Sequence, residues 1–354
     1  MHEWIRPRST VALLGAGASA PSLPVSTELT ALVIARLSAS LSGDRYIDRL
    51  WRAMRDQLMS QETQNIEEFY TAIADVPHRL SDPTRLWVSQ WAELPEPSAE
   101  EDVTFDQSVD FLASSVEQFV MMILAERTEA ADPSYLLPLL NSRPQAVVTL
   151  NYDLMIEKAA REGGLRIATG AELWDGGFRW FNDDLPAEAV PILKPHGSLN
   201  WRRVAPFSTG GLLADQRLEE VGGDGTGPAR SLPRVDPTLI FGKGNKLTPY
   251  GPFGSLYREW ETQLERAETL VVIGFSFNDS HITGTITRWA ATNTSARIII
   301  IDPFLDLTGT TQRTDLERLL YQLWDPYEGG RPTAADRLRV LRKSSAEGIA
   351  DVFG

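Results

Sequence analysis

The sequence predicts an α/β fold: a Rossmann-like parallel sheet with an inserted helical module and a small C-terminal appendage. Three observations carry this reading. Short aliphatic runs recur at Val11–Leu14, Val147–Leu150, Leu270–Ile273 and Ile298–Ile301. Near-continuous apolar strands of this length suit a parallel sheet covered on both faces. Each run ends in a glycine-rich or polar turn, and long stretches of helical periodicity lie between the first two.

Taken in order, Val11–Leu14 is the first strand and Gly15-Ala16-Gly17-Ala18-Ser19 its turn. Thr27–Leu41 then places Leu29, Leu32, Val33, Leu37 and Leu41 at helical spacing, as Asp106–Arg127 does with Val109, Leu112, Val116, Phe119, Val120 and Ile123. Leu94–Asp102 between them reads as an acidic surface loop. Residues 30–144 are therefore expected to form a helical insertion into a catalytic domain spanning 1–305. Ile192-Leu193 and Leu239–Phe241 suggest two shorter strands. Arg203–Pro233, centred on Gly222–Gly227, reads as a connection or lid, because no strand-to-helix context surrounds its glycines. Thr314-Asp315-Leu316-Glu317 resembles a capping box, so 306–354 is expected to be a helical appendage.

Composition narrows the chemistry. The chain has 354 residues, no cysteine and four histidines, His2, His78, His196 and His281, in no ligand-like spacing. Disulfides, thiolate nucleophiles and cysteine-ligated zinc are excluded, and a histidine-rich metal site is not expected. A net charge of −14 argues against a broad nucleic-acid-binding face. Arg337, Arg339, Arg342 and Lys343 form a local basic cluster, read either as a patch or as one solvated face. No apolar run approaches the roughly 20 residues of a bilayer span, and no signal-peptide pattern follows Met1–Thr10. A soluble cytoplasmic protein is the expectation.

The candidate site residues sit in the turns after the predicted strands. Gly15, Ala16, Gly17 and Ser19 suit close backbone approach to a pyrophosphate, and equally suit an ordinary strand–turn–helix. Asn151 and Asp153, in Thr149-Leu150-Asn151-Tyr152-Asp153, are placed to reach a crevice beyond the strand ends, or to close the strand with an Asx-type turn. His196, in Lys194-Pro195-His196-Gly197-Ser198, suits a general base or a structural role. Gly274 and Ser276 suit phosphate or ribose contacts; Asp279 either joins them or caps the following helix. Asp302, closing the Ile298–Ile301 run, suits a ribose contact or a turn before Pro303.

In this order the motifs resemble the sirtuin superfamily, and more narrowly the bacterial sirtuin-like proteins that degrade NAD in anti-phage defence. The resemblance runs from about Val11 to Asp302; Phe275–Ile282 and Asn65–Phe69 are similar to the bacterial branch. Deacylating sirtuins carry a four-cysteine zinc ribbon and Gly-Ile-Pro-Asp-Phe-Arg after the glycine turn. Here there is no cysteine, and the stretch reads Ser22-Leu23-Pro24-Val25-Ser26-Thr27-Glu28-Leu29, closer to the Gly-x-Pro…Glu-Leu pattern of the defence branch, with Ser22 where the defence branch commonly has Gly. The resemblance implies a sirtuin-like fold that uses NAD as substrate and needs no metal. It implies an NAD glycohydrolase, with a non-hydrolytic NAD or ADP-ribose-derivative sensor or a protein deacylase as alternatives. Asn151 and His196 become catalytic. Gly15, Ala16, Gly17, Ser19, Asp153, Gly274, Ser276, Asp279 and Asp302 become NAD contacts. Family habit further implies a homo-oligomer, gated by assembly or by a HerA-type ATPase or Argonaute-like partner.

Overall fold

The computed structural model describes residues 3–76, 94–171, 174, 185–204, 217–220, 237–239, 252–305 and 337–354. The glycine-rich centre at 222–227, the capping box at 314–317, and His2 and His78 lie outside the described residues.

The strands are β1 (Thr10–Leu14), β2 (Ala146–Thr149), β3 (Ile167–Ala168), β4 (Val190–Leu193), β5 (Gly197–Val204), β6 (Arg217–Glu220), β7 (Pro237–Leu239), β8 (Thr269–Ile273), β9 (Arg297–Ile301) and β10 (Leu338–Leu341). The helices are α1 (Ala16–Ser19), α2 (Ser26–Ser40), α3 (Tyr46–Ser60), α4 (Ile66–Ala74), α5 (Phe105–Ala130), α6 (Leu137–Asn141), α7 (Met155–Glu162), α8 (Phe253–Arg266), α9 (Ser280–Thr292) and α10 (Ser345–Phe353). They fall into two compact units. Among the described residues, one holds the stretches up to Leu23 and from Thr128 onward; the other holds those from Pro24 to Arg127.

The first unit is built on a seven-stranded sheet in the order β10-β9-β8-β1-β2-β4-β3, every pairing parallel. This is the Rossmann-like α/β architecture expected from the aliphatic runs. Every residue of β1, β2 and β8 is buried, because helices cover both faces and leave no polar side to alternate with. β1 sits between β2, in register Val11 to Ala146, and β8, in register Thr10 to Thr269. The chain builds outward from β1 first to one side and then to the other. In open α/β sheets ligands bind beyond the strand carboxyl ends at such a reversal. A separate antiparallel sheet, β6-β5-β7, follows directly from β4.

The second unit is helical. Its core holds Trp51 and Phe69 in an edge-to-face pair with centroids 6.1 Å apart, both fully buried, as are Val33, Leu50 and Met54. Helix α5 is long and apolar enough by length and composition to cross a bilayer, which the count of uninterrupted apolar residues did not reveal. Half of that stretch is buried inside the fold, with Val109, Leu112, Val116, Val120 and Ile123 inward at the spacing of a core helix.

Two expected boundaries change. The helical unit begins at Pro24 and ends at Arg127, so α6 and the approach to β2 belong with the sheet rather than with an insertion reaching 144. The described part of the expected helical appendage, 337–354, is integral to the sheet. β10 pairs with β9 from Leu338–Ile298 to Leu341–Ile301, and α10 packs on α1, α6 and β9 with Ile349 and Val352 fully buried. Polar alternation hid β10: its Leu-Arg-Val-Leu pattern is that of a half-buried edge strand. The basic cluster is largely engaged within the same unit. Arg337 donates to the carbonyls of Ala290, Asn293 and Ala296, Arg339 lies 4.0 Å from the Trp4 ring centroid, and Lys343 pairs with Asp351.

Candidate functional site

Because the seven strands are parallel, the turns after β1, β2, β4, β8 and β9 all open at one edge of the sheet. Every candidate residue named from the sequence lies in one of those turns. The structure resolves them into two linked clusters.

The first joins the turns after β1 and β2. The Asn151 amide donates to the Gly15 carbonyl and to Ser19 Oγ, both at 3.0 Å. Ser19 Oγ donates in turn to Asp153 Oδ2 at 2.8 Å, while Asp153 Oδ1 accepts from the Met155 N–H at 3.0 Å and starts α7. Ser19 and Asp153 are thus buried and internally engaged, serving as supports for Asn151. With its amide protons committed, Asn151 presents its carbonyl Oδ1, an acceptor for a ribose hydroxyl or a water. Burial pushes the Asp153 carboxyl above the usual carboxylate range, against the opposing effects of Lys194 and of the bonds from Met155 and Ser19.

The second joins the turns after β4 and β8. His196, 6% exposed, has its Nε2 3.1 Å from Asp279 Oδ2. Asp279 Oδ1 accepts from the His281 and Ile282 N–H groups at 3.0 and 3.1 Å, capping α9. The capping alternative for Asp279 therefore holds, together with a histidine contact that the sequence did not suggest. The loop carrying Asp279 is tightly specified. Gly274 and Phe277 are both left-handed (φ +59° and +60°), unusual for a buried aromatic, and Thr283 Oγ1 donates to the Phe277 carbonyl. The two clusters adjoin through the Leu199 N–H, which donates to the Tyr152 carbonyl at 3.0 Å.

The glycines have a packing reason independent of any ligand. The Gly17 N–H donates to the Gly274 carbonyl at 2.9 Å. A Cβ on Gly17 would lie 2.8 Å from Gly274 Cα, and one on Gly274 would lie 2.2 Å from the Gly17 carbonyl carbon. Ala16 and Ser276 are exposed beside them. Asp302 lies two strands from β1; its N–H donates to the Leu341 carbonyl and its Oδ1 accepts from the Phe304 N–H at 2.7 Å, the turn alternative. Among the described residues no group of three His, Asp or Glu is arranged to hold a metal ion.

Three contributors escaped the sequence reading. Lys194, fully buried, donates to the Asp153 carbonyl and to Glu157 Oε1, both at 2.8 Å, tying the Asn151 turn to α7. Glu220 on β6 accepts from Trp201 Nε1 and Thr169 Oγ1, and burial raises its carboxyl above the usual range. Ser345 Oγ of α10 donates to the Gly17 carbonyl at 2.9 Å. The one available signal was Lys194 itself, a charge set directly after an apolar strand.

A sequence-family profile described as a SIR2-like domain matches residues 145–319, just under half of the chain. It covers the turns after β2, β4, β8 and β9 and leaves out the glycine turn after β1. The chain is similar to a solved Sir2 homologue–NAD complex at 15% identity, covering 97% of this chain and 86% of that one, with a TM-score of 0.40. It is also similar to a structure described as the basis for the mechanism and regulation of Sir2 enzymes (13% identity, 99% and 92% covered, TM-score 0.43). A Sir2–p53 peptide–NAD+ structure matches at 13% identity over 97% of this chain and 91% of that one, TM-score 0.39. No curated protein matches the sequence significantly.

Proposed function

We propose that this chain binds NAD at the carboxyl edge of its parallel sheet and hydrolyses the nicotinamide–ribose bond, giving nicotinamide and ADP-ribose. The observation that carries the reading is the placement of Asn151 and His196 in adjoining turns at that edge, inside the stretch matched as a SIR2-like domain.

Nicotinamide in NAD is a cationic leaving group, so its departure needs no strong acid. As the C1′–N bond breaks, its electron pair neutralises the nicotinamide ring. Water then bonds to C1′ and surrenders a proton. The protein's part is to orient ribose and water and to take that proton. Asn151 Oδ1 serves the first task and the His196 imidazole the second. Gly15, Ala16, Gly17, Gly274 and Ser276 line the edge where the pyrophosphate is taken to lie, with Asp302 toward the adenosine side. Ser19 and Asp153 act mainly by holding Asn151.

In the cell this activity fits an NAD-depleting effector of anti-phage defence in the cytoplasm, held silent until self-assembly or a HerA-type ATPase or Argonaute-like partner releases it. Following nicotinamide and ADP-ribose by chromatography tests the chemistry. His196→Ala is expected to lower release by about 10²–10⁴-fold, and Asn151→Ala to abolish it, with unchanged circular dichroism. Release at the parental rate in either variant removes that residue from the site. Turnover that requires an added acyl-lysine peptide would instead indicate deacylation.

A further inference from the structure

We infer that Asp279 is the positioning residue of His196, holding the neutral imidazole with its proton on Nε2 so that Nδ1 carries the basic lone pair. This deepens the reading of His196 as the proton acceptor and rests on it.

The Asp279 carboxylate divides its two oxygens between two tasks. Oδ1 accepts from the His281 and Ile282 N–H groups and so is fixed at the start of a 13-residue helix. Oδ2 meets His196 Nε2 at 3.1 Å, and the two side chains are only 7% and 8% exposed. An ionised carboxylate can only accept, so a neutral histidine in this contact must donate through Nε2–H. The ring then has one tautomer and one acceptor nitrogen. The anchor is stiff because the backbone before it is over-determined: Gly274 is in contact with Gly17, and Phe277 is left-handed with its carbonyl held by Thr283. A histidine from the turn after β4 is thereby oriented by the loop after β8.

The division of labour makes Asp279→Asn informative. An asparagine retains the Oδ1 cap, but its amide only donates toward Nε2. Nε2 must then accept, and the ring proton moves to Nδ1. Long-range 1H–15N correlation spectra of the full chain, recorded where histidine is neutral, read the tautomer directly. The expected result is Nε2–H in the parent and Nδ1–H in Asp279→Asn. Nicotinamide release should fall in kcat by about 10²-fold or more, with KM for NAD and Tm close to parental. Asp279→Ser keeps a capping oxygen without a carboxylate; it should mix the two tautomers and also lose kcat. A parent His196 protonated on Nδ1 overturns the inference without recourse to any variant. An unchanged tautomer or unchanged kcat in Asp279→Asn overturns it as well. A parent that releases no nicotinamide even when assembled and joined by its activating partner sinks the NAD-cleavage reading instead, leaving the spectra to decide the pairing on their own.

Discussion

At Lys194 a full positive charge has no exposed surface, and two oxygens 2.8 Å away hold it. One belongs to Glu157; the other is the Asp153 carbonyl, so the ion pair fixes the backbone that presents Asn151. Buried pairs of this kind add little net stability, because desolvation offsets their attraction, but they specify geometry. Acid outnumbers base here: Asp153, Glu157 and Glu220 surround one lysine, and burial holds Asp153 and Glu220 above the carboxylate range. A carboxyl raised in the folded state binds its proton more tightly there than in the unfolded chain. Its contribution to stability therefore declines as pH rises above the ordinary glutamate range. Glu220→Gln removes that decline while keeping an acceptor for Trp201. As pH rises above the ordinary glutamate range its urea midpoint should gain on the parent's; parallel curves would contradict the raised carboxyl. The sequence exposed Asn151 and His196 because each sits in the turn after an apolar strand. It hid the Lys194–Glu157 pair because the partners lie 37 positions apart and meet only when α7 packs on the sheet.

At the scale of elements, legibility followed burial. β1, β2, β8 and β9 could be read because strands covered on both faces are almost purely aliphatic. Helix α3 is hard to read in the sequence although Tyr46, Leu50, Met54 and Leu58 form a four-residue stripe, since arginines and aspartates fill the positions between. Helix α4 announces its start through Asn65, whose side chain accepts from the Glu67 and Glu68 N–H groups. Asn65→Ala should destabilise the helical unit by about 1 kcal/mol and Asn65→Asp by much less, read from chemical denaturation. Equal losses in both variants would show that packing of Ile66 and Phe69, not the cap, secures that end. Glycine carried a mixed message: the Gly15–Gly17 turn looked like a phosphate loop, yet its contact with Gly274 already demands the absence of side chains.

Over the whole molecule, the last residues complete the core instead of trailing from it. Ile349 and Val352 share one apolar cluster with Ile299 and Ile301 of β9 and Leu139 and Leu140 of α6. Ile349→Ala should lower stability by about 2–5 kcal/mol, the range for truncating a buried aliphatic side chain. A loss below about 0.5 kcal/mol, the level of an ordinary surface substitution, would mean that α10 is peripheral after all. Charge density over 337–343 concealed this arrangement, because arginines spent on carbonyls and on the Trp4 ring look identical in sequence to arginines facing water.

The bond from Ser345 to the Gly17 carbonyl also orders events in time. β1 starts at Thr10, but β8, its second neighbour, begins only at Thr269, and the helix that steadies the glycine turn only at Ser345. Contacts of such sequence separation form late in folding. The glycine turn after β1 is thus steadied by a hydroxyl 328 positions downstream, so the edge of the sheet that carries the candidate site is finished only when the fold as a whole has closed.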